Sequence, residues 1–184
     1  MHSKGFSLIE IIVVIALIAL LATIGLSTYD RVQKNARDAR RIADIEEIRK
    51  ALLVYKSLNG TFPLSSGADF DNDCSGWDTS FDEDFIKSLN NPSYIESMPR
   101  DPLNEGSVAC DGHANDGFNY LYHRYNAGEY GCQPNRPFVV LGAGTMETSN
   151  GAHPKSQKLE CPGGGGQSAR DWHQTLDYFI VMYE

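Results

Sequence analysis

The first strong pattern is a continuous apolar stretch near the start of the chain. From Ile11 to Leu26 no residue is charged, and only two residues are not apolar. Counted from Phe6, the stretch has 21 residues, which is about 32 Å of α-helix at about 1.5 Å per residue. That length matches the hydrocarbon thickness of a bilayer, about 30 Å. The pattern predicts a helix over residues 6–26 that needs lipid or other helices on every side.

A second pattern follows without a break and has the period of a helix. Between Ser27 and Asn59, apolar residues recur mostly three or four positions apart and predict one apolar face. The predicted face consists of Val32, Ala36, Ala39, Ala43, Ile45, Ile48, Leu52 and Tyr55. Asn59-Gly60 is a good stop signal, and no proline interrupts the segment from Phe6 onward. We therefore predict one continuous helix of about 50 residues, close to 80 Å long, whose second part is an amphipathic neck over residues 27–60.

The remaining residues, 61–184, predict a globular head. Aromatic and β-branched residues predict strands over Phe118–Tyr125, Phe138–Leu141 and Leu176–Tyr183. In the first strand, alternation places Phe118, Tyr120 and Tyr122 on one face. A long helix packed on a small antiparallel sheet is an α+β arrangement.

The connections in the head are less regular. A short helix is predicted over Asp82–Leu89, capped by Ser80 or Asp82. The stretch Ser65–Ser80 is dense in Gly, Asp and Ser and predicts a loop, and Pro99–Gly117 is rich in turn residues.

Charge divides the chain along similar lines. The 184 residues carry a net charge of −8, which argues against a general nucleic-acid binder, because phosphate contacts need an excess of Lys and Arg. Residues 30–56 hold eight basic and five acidic residues, whereas residues 57–184 hold seven basic and 18 acidic ones. Two interpretations of the basic segment stay open: a solvated helix face with pairs four residues apart, or contact with the acidic heads of neighbouring subunits.

The residues at the start of the chain resemble a processing signal. Lys4-Gly5-Phe6-Ser7-Leu8-Ile9-Glu10, followed by the apolar run, is similar to the signature of type IV pilins and type II secretion pseudopilins. The resemblance implies that a prepilin peptidase removes residues 1–5 by cutting after Gly5 and then methylates the amino group of Phe6. It also implies that Glu10 is the assembly residue.

A second stretch extends the resemblance to about residue 63. Asn59-Gly60-Thr61-Phe62-Pro63, at the end of the predicted helix, resembles the pseudopilin-like group. The family implies a helical filament of copies of this chain, alone or with minor pilins. It implies an inner-membrane assembly platform with its ATPase as partners. The chain would cross the inner membrane once, in contact with lipid, before it joins an extracellular or periplasmic filament.

The physical chemistry of Glu10 agrees with this assembly role. A carboxylate in hydrocarbon costs about 2.5–3.5 kcal/mol on insertion scales, so a plain anchor has no reason to carry one. After cleavage, Phe6 would hold a free amino group. Opposite charges attract strongly where the dielectric constant is low, and an unpaired charge there is costly. We expect Glu10 of one subunit to neutralise the Phe6 amine of a neighbour. The alternative is that Glu10 reaches the headgroup level at little cost.

The four cysteines all lie in the head. Cys74, Cys110, Cys132 and Cys161 form no Cys-x-x-Cys pair, which argues against a zinc ribbon. An even number in an exported domain predicts two disulfides, and three pairings are possible. We prefer Cys132–Cys161, across the long loop after the Phe138 strand, with Cys74–Cys110 as the other bond. Free buried thiols are the alternative.

Metal-binding and catalytic patterns are weak. Asp69-x-Asp71-x-Asp73 resembles the start of a calcium loop, but Cys74 stands where that loop needs Gly. A weak calcium site there stays open. The calcium site of major pseudopilins is not carried over, because residues 142–160 offer only Glu147 and Glu160 as carboxylates.

The histidines share no metal-ligand spacing, and no Gly-x-Ser-x-Gly elbow occurs. We expect no enzyme activity and no cofactor. The favoured function is a structural subunit of a type IV pilus-like filament. The alternatives are a type II secretion pseudopilin and a single-pass anchored extracellular binding module.

Overall fold

The fold begins with one long helix. The computed structural model describes residues 7–64, 76–81, 84–105, 117–149 and 151–184, except the side chains of residues 24–27. Helix α1 runs over Leu8–Asn59. It ends where Gly60 adopts a φ of 81°, a left-handed conformation, and where the Gly60 N–H donates to the carbonyl of Lys56 at 2.8 Å. By its internal contacts the chain divides into two compact units, one ending at Ala36 and one spanning Arg37–Glu184.

The second unit contains an antiparallel four-stranded sheet. Its strands are β1 (Asp78–Thr79), β2 (Tyr120–Tyr125), β3 (Phe138–Ala143) and β6 (Tyr178–Tyr183), in the spatial order β1-β2-β3-β6. A separate two-stranded antiparallel ribbon joins β4 (Glu160–Cys161) to β5 (Arg170–Asp171). The long helix and the antiparallel sheet confirm the predicted α+β class.

Each face of the four-stranded sheet belongs to its own hydrophobic core. On the face toward α1, Ile45, Ile48 and Leu52 of the helix belong to the same cluster as Tyr120, Tyr122, Val139, Leu141 and Ile180. The opposite face packs into a cluster that contains Leu121, Tyr125, Phe138, Val140, Trp172 and Phe179. Because side chains alternate along a strand, β2, β3 and β6 each contribute to both cores. The predicted common face is present for Tyr120 and Tyr122, whereas Phe118 lies before the first residue of β2.

The C-terminal residue ties the helix end to the sheet. The Glu184 carboxylate accepts two hydrogen bonds from the Arg124 guanidinium, at 2.8 and 2.9 Å, and one from the Phe62 N–H at 3.0 Å. The Tyr122 hydroxyl donates to the carbonyl of Pro63 at 2.7 Å. The segment that follows α1 is therefore fixed against β2.

The connections differ most from the sequence-based predictions. The helix predicted over Asp82–Leu89 is wrong: among its described residues only a 3-10 turn forms, over Lys87–Leu89. Ile86 has a φ of 43°, which no α-helix allows, and its N–H donates to the Asp78 carboxylate at 2.9 Å. The Asp78 carboxylate thus holds the chain in a turn at Ile86. Asp78 belongs to β1, a strand that was not predicted from the sequence.

Candidate assembly site

The first part of α1 exposes an apolar surface on all its sides. Every residue from 7 to 23 is exposed, and this includes Ile15, which is 57% exposed. Among the described residues, α1 is the one helix that is long and apolar enough to cross a membrane. Such a surface is not stable in water, because each exposed apolar side chain keeps its unfavourable contact with solvent. It has to be covered by lipid or by other protein.

Glu10 closes the first turn of this helix. The Ser7 N–H donates to Glu10 Oε2 at 2.7 Å, and the Glu10 N–H donates back to the Ser7 carbonyl at 3.1 Å. A carboxylate near a helix N-terminus is favoured by the helix dipole, by about 0.3–1 kcal/mol. Ser-x-x-Glu before an apolar run is the sequence signal of a capping box. Ser7-Leu8-Ile9-Glu10 carries this signal, and the structure shows the bond from the Ser7 N–H to the Glu10 carboxylate, a role not predicted above.

Two predicted processing residues have no described geometry. Gly5 and Phe6 lie outside the described residues, which begin at Ser7. The structure therefore gives the position of the Glu10 carboxylate but no position for the Phe6 amine. The carboxylate lies at the exposed start of α1, where a cation from another molecule can reach it.

The later part of α1 carries a buried ionic cluster, which we call the ionic clasp: Arg37, Asp38, Arg41, Asp101 and Glu147. The Arg41 side chain is 0% exposed, and its Nε and Nη2 donate to the two oxygens of Asp101 at 2.6 and 3.0 Å. Its Nη1 donates to Asp38 at 2.7 Å and to Glu147 at 3.0 Å. One guanidinium on the helix thus binds carboxylates from two loops of the head.

The same loops are held by further bonds from the helix. Arg37 donates to both oxygens of Glu147, at 2.6 and 2.5 Å. The Asp38 carboxylate accepts the backbone N–H groups of Glu147 and Thr148, at 3.0 and 2.9 Å, and the Thr148 hydroxyl at 2.6 Å. Two-point contacts of this kind fix orientation as well as distance. The clasp therefore sets the rotation of α1 relative to the residue 147–148 loop.

Next to the clasp, a tyrosine of the sheet binds the helix. The Tyr120 hydroxyl donates to Asp44 Oδ2 at 2.7 Å, and both residues are buried. Burial raises the pKa of the Asp44 carboxyl, although the hydrogen bond from Tyr120 lowers it in part. Burial, together with the nearby Asp44, raises the pKa of the Tyr120 hydroxyl. The tyrosine therefore stays protonated as a donor at physiological pH.

The carboxylates of the clasp behave differently from Asp44. Burial alone would raise the pKa of Asp38, but hydrogen bonds from Thr148, from the Glu147 N–H and from Arg41 hold it below its usual value. The two-point contact with Arg37 is the main cause of the lowered pKa of Glu147. Both side chains are therefore charged at neutral pH, and their charge contributes to the stability of the fold.

The clasp corrects two sequence-based interpretations. The predicted apolar face is right from Ile45 onward, but Val32, Ala36, Ala39 and Ala43 are exposed. Asp38, Arg41 and Asp44 face the head, so these three charges do not lie on a solvated face. The pair of Asp30 and Lys34, four residues apart and accessible to solvent, does fit that interpretation. The signal for the three buried charges was their spacing: they continue the stripe of Ile45, Ile48 and Leu52 at steps of three and four residues. Their partners, Asp101 and Glu147, are too distant in sequence to be recognised from it.

Two of the four cysteines lie among the described residues. Cys132 and Cys161 form a disulfide with a Cα–Cα distance of 4.7 Å, which is the pairing preferred from the sequence. The disulfide attaches β4 to the connection between β2 and β3, in which Cys132 directly follows a 3-10 turn over Glu129–Gly131. Beside it the backbones come so close that a Cβ at Gly131 would clash with the Gly163 carbonyl. Cys74 and Cys110 lie outside the described residues.

The possible calcium loop, Asp69–Asp73, also lies outside the described residues. Within the ranges that the structure describes, no group of three or more His, Cys, Asp or Glu side chains could hold a metal ion. Glu147, a carboxylate considered for calcium, is bound instead by Arg37 and Arg41.

Comparison with known proteins supports the prediction that the N-terminal residues are a processing signature. Residues 1–26 match the family model of the prokaryotic N-terminal methylation motif. A search of curated proteins and a search of solved structures each gave no match. The motif implies processing by a prepilin peptidase and polymerisation, and together with the apolar helix it fits anchoring in a membrane before assembly. The chain thus carries the prepilin-type signature at residues 1–26, which supports the type IV pilin and pseudopilin family and points to a structural subunit.

Proposed function

We propose that this chain is the structural subunit of a type IV pilus-like filament and that it polymerises through the first part of α1. The observation that carries the proposal is the exposed apolar surface of residues 7–23, which contains a single charged side chain, Glu10. Moving this surface from lipid into a helix bundle gains little hydrophobic energy, because lipid is equally apolar. Packing and the single charge must therefore select the register of assembly.

In this proposal, processing supplies the partner of Glu10. Cleavage after Gly5 creates an amino group at Phe6, which the peptidase methylates. The Glu10 carboxylate of one subunit then binds the Phe6 amine of the next. In a surrounding of low dielectric constant this pair is favourable, and each charge is costly without the other. The prepilin peptidase, the assembly platform and its ATPase are the partners we propose. Residues 6–26 are the filament core, 27–60 the neck and 61–184 the head.

A set of variants separates the pairing from the capping of the helix. Glu10→Gln keeps an oxygen that can accept the Ser7 N–H but removes the charge. Glu10→Ala removes both. We expect both variants to lose at least nine-tenths of the filaments recovered by shearing and counted by electron microscopy. Glu47→Gln is the matched control, because Glu47 is an exposed acid on the same helix, and it is expected to assemble normally.

The outcomes distinguish the alternatives. Normal filaments with Glu10→Gln, but none with Glu10→Ala, would show that the carboxylate acts only as a cap. Normal filaments with both would remove Glu10 from assembly. If the chain is processed but forms only periplasmic filaments that depend on secretion components, it is a type II secretion pseudopilin. If it stays dispersed with its leader attached, it is an anchored binding module.

A further inference from the structure

Strand β6 is an outer strand of the four-stranded sheet, and its composition favours pairing. It pairs on one side with β3, and no strand among the described residues pairs with its other side. Its six residues, Tyr178–Tyr183, read YFIVMY and contain no charge, proline or glycine. Six-residue segments of this kind readily pair with copies of themselves. An open edge of such a strand is a template for association.

A short segment covers this edge. We call residues 153–158 the edge guard. Its backbone makes two hydrogen bonds: the His153 N–H donates to the carbonyl of Asp177 at 2.7 Å, and the Gln157 N–H donates to that of Phe179 at 3.1 Å. Residues 177 and 179 are two positions apart, which is the spacing of the groups that point away from β3.

Two side chains of the edge guard take the place of backbone acceptors. The Phe179 N–H donates to Ser156 Oγ at 2.9 Å, and the Val181 N–H donates to Gln157 Oε1 at 2.6 Å. The N–H and the carbonyl of Phe179 and the N–H of Val181 are thus bonded on the open side of β6 without a further strand. At the end of β6, Lys56 Nζ donates to the Tyr183 carbonyl at 2.8 Å.

The edge guard contains residue types that keep a sheet edge from pairing with another strand. Pro154, Lys155 and Lys158 are exposed. Proline and lysine are residue types with which natural sheets keep an edge from pairing. The two lysines are a notable share of the basic residues in residues 57–184, which number only seven. Their charges would be brought together if two copies approached edge to edge.

We propose that the edge guard prevents β6 of one head from pairing with β6 of a second copy of this chain. Because the strand is uncharged and identical in both copies, the antiparallel pair would be self-complementary around a two-fold axis. Ser156 and Gln157 occupy two of the donors that such a pair would use, the N–H groups of Phe179 and Val181. This inference concerns the heads and does not depend on how the N-terminal helix assembles.

The test uses the full chain in detergent micelles, in moderate salt that screens the repulsion between acidic heads. The variant S156A/Q157A removes both side-chain acceptors. The matched control, S168A/Q174A, makes the same two changes at exposed positions away from β6. Hydrogen exchange resolved to single amides is measured together with the mass of the particles, over a range of protein concentrations.

At low concentration we expect the amides of Phe179 and Val181 to exchange about five to ten times faster in S156A/Q157A than in the control, the factor for one lost hydrogen bond. At high concentration we expect pairs of chains to form and the same two amides to become protected again. Unchanged exchange, faster exchange without association, or association that leaves these amides unprotected would each overturn the proposal.

A single variant keeps the test valid if the double variant fails to fold. S156A removes the acceptor of Phe179 and leaves that of Val181. We expect the amide of Phe179 to exchange faster while that of Val181 changes little. Equal exchange of both amides, at the rate of the parent chain, would show that Ser156 does not guard the edge.

Discussion

The two parts of helix α1 differ in which side chains they expose and in where their charges lie. Over residues 7–23 the helix is apolar on all sides, exposed, and carries one acid. From Arg37 onward the same helix is polar on its outer face and places charged and then apolar side chains against the sheet. In the first part, hydrophobic surface is exposed and Glu10 is bonded to the Ser7 N–H, with no partner among the side chains that the structure describes. In the second part, the charges that face the head, Asp38, Arg41 and Asp44, are buried and bonded to partners in the same chain.

This difference shows what fixes the register of the first part and the orientation of the second. Apolar contacts are not directional, so an apolar rod can slide along its neighbours. A single charge can select one register of such a rod, and we assign that task to Glu10. The second part already has its partner in the same chain, and the ionic clasp fixes its orientation there. Substitutions in the first part should therefore affect assembly, and those in the second part the stability of the head.

The largest effect should come from removing the cation of the clasp. Arg41→Ala leaves Asp38, Asp101 and Glu147 buried without their shared guanidinium. We expect the free energy of unfolding to fall by about 3–5 kcal/mol, as for other broken buried ion pairs. Denaturant unfolding of the full chain in detergent measures it. Arg31→Ala, at an exposed position of the same helix, is the control and should change it by less than about 0.5 kcal/mol. A loss below about 1 kcal/mol for Arg41→Ala would contradict the account.

The same substitution in both parts gives the most direct comparison. Ile45 is 0% exposed in the core, whereas Ile15 is 57% exposed. Ile45→Ala should lower the free energy of unfolding by about 2–5 kcal/mol, because it leaves a cavity. Ile15→Ala should leave it unchanged and should reduce filament yield instead. If the two variants behave alike in both measurements, the division of the helix into two functional parts is wrong.

A smaller effect is expected at the edge of the clasp. Tyr120→Phe removes the hydrogen bond to Asp44 and leaves the ring in place. The cost should be about 1–3 kcal/mol, since a buried carboxylate loses a partner. The pKa of Asp44, followed by NMR, should rise further, because the Tyr120 hydrogen bond lowers it in the folded chain. An unchanged or lower pKa of Asp44 would show that the hydroxyl does not stabilise the charged form.

The smallest effect is expected in the pH dependence of the free energy of unfolding. As the pH falls from neutral, this free energy should first rise and then fall. The pKa values of Asp44 and Asp177 are raised mainly by burial. As the pH falls from neutral through these raised values, the folded state binds protons first, and stability should rise. The pKa values of Asp38 and Glu147 are lowered from 3.8 and 4.5. Stability should therefore fall as the pH drops below this range and passes through the lowered values.

Denaturant unfolding at a series of pH values gives this curve of free energy against pH. Asp44→Asn should weaken the rising limb and leave the falling limb intact. A curve that falls without a maximum from neutral pH downward would show that the burial of Asp44 and Asp177 has no net effect.

The sequence predicts the elements of this fold better than their contacts. The apolar run and the stop at Asn59-Gly60 predict α1, since both signals are local. Alternating aromatic and β-branched residues predict β2, β3 and β6, because half-buried strands need that pattern. The short β1 has only two residues, too few to show any period. The turn at Ile86 depends on Asp78, a tertiary contact that overrides the helical propensity of its segment.

The candidate site shows the same limit. Glu10 was recognised as a functional residue because a lone carboxylate in an apolar run is costly. For the charged segment that contains Asp38, Arg41 and Asp44, the sequence leaves a solvated helix face and contact with neighbouring heads both open, because a charge at a helical period is compatible with either. Only the positions of Asp101 and Glu147, which lie 60 and 106 residues from Arg41, show that the charges are buried and paired.

The central claim is that the first part of α1 becomes an assembly element once processing has created an amine at Phe6. Mass spectrometry of the N-terminal peptide, from chain isolated from its native membranes and filaments, tests it most directly. The account predicts a peptide that begins at Phe6 and carries one methyl group. A native chain that retains residues 1–5, with Phe6 unmethylated, would contradict it.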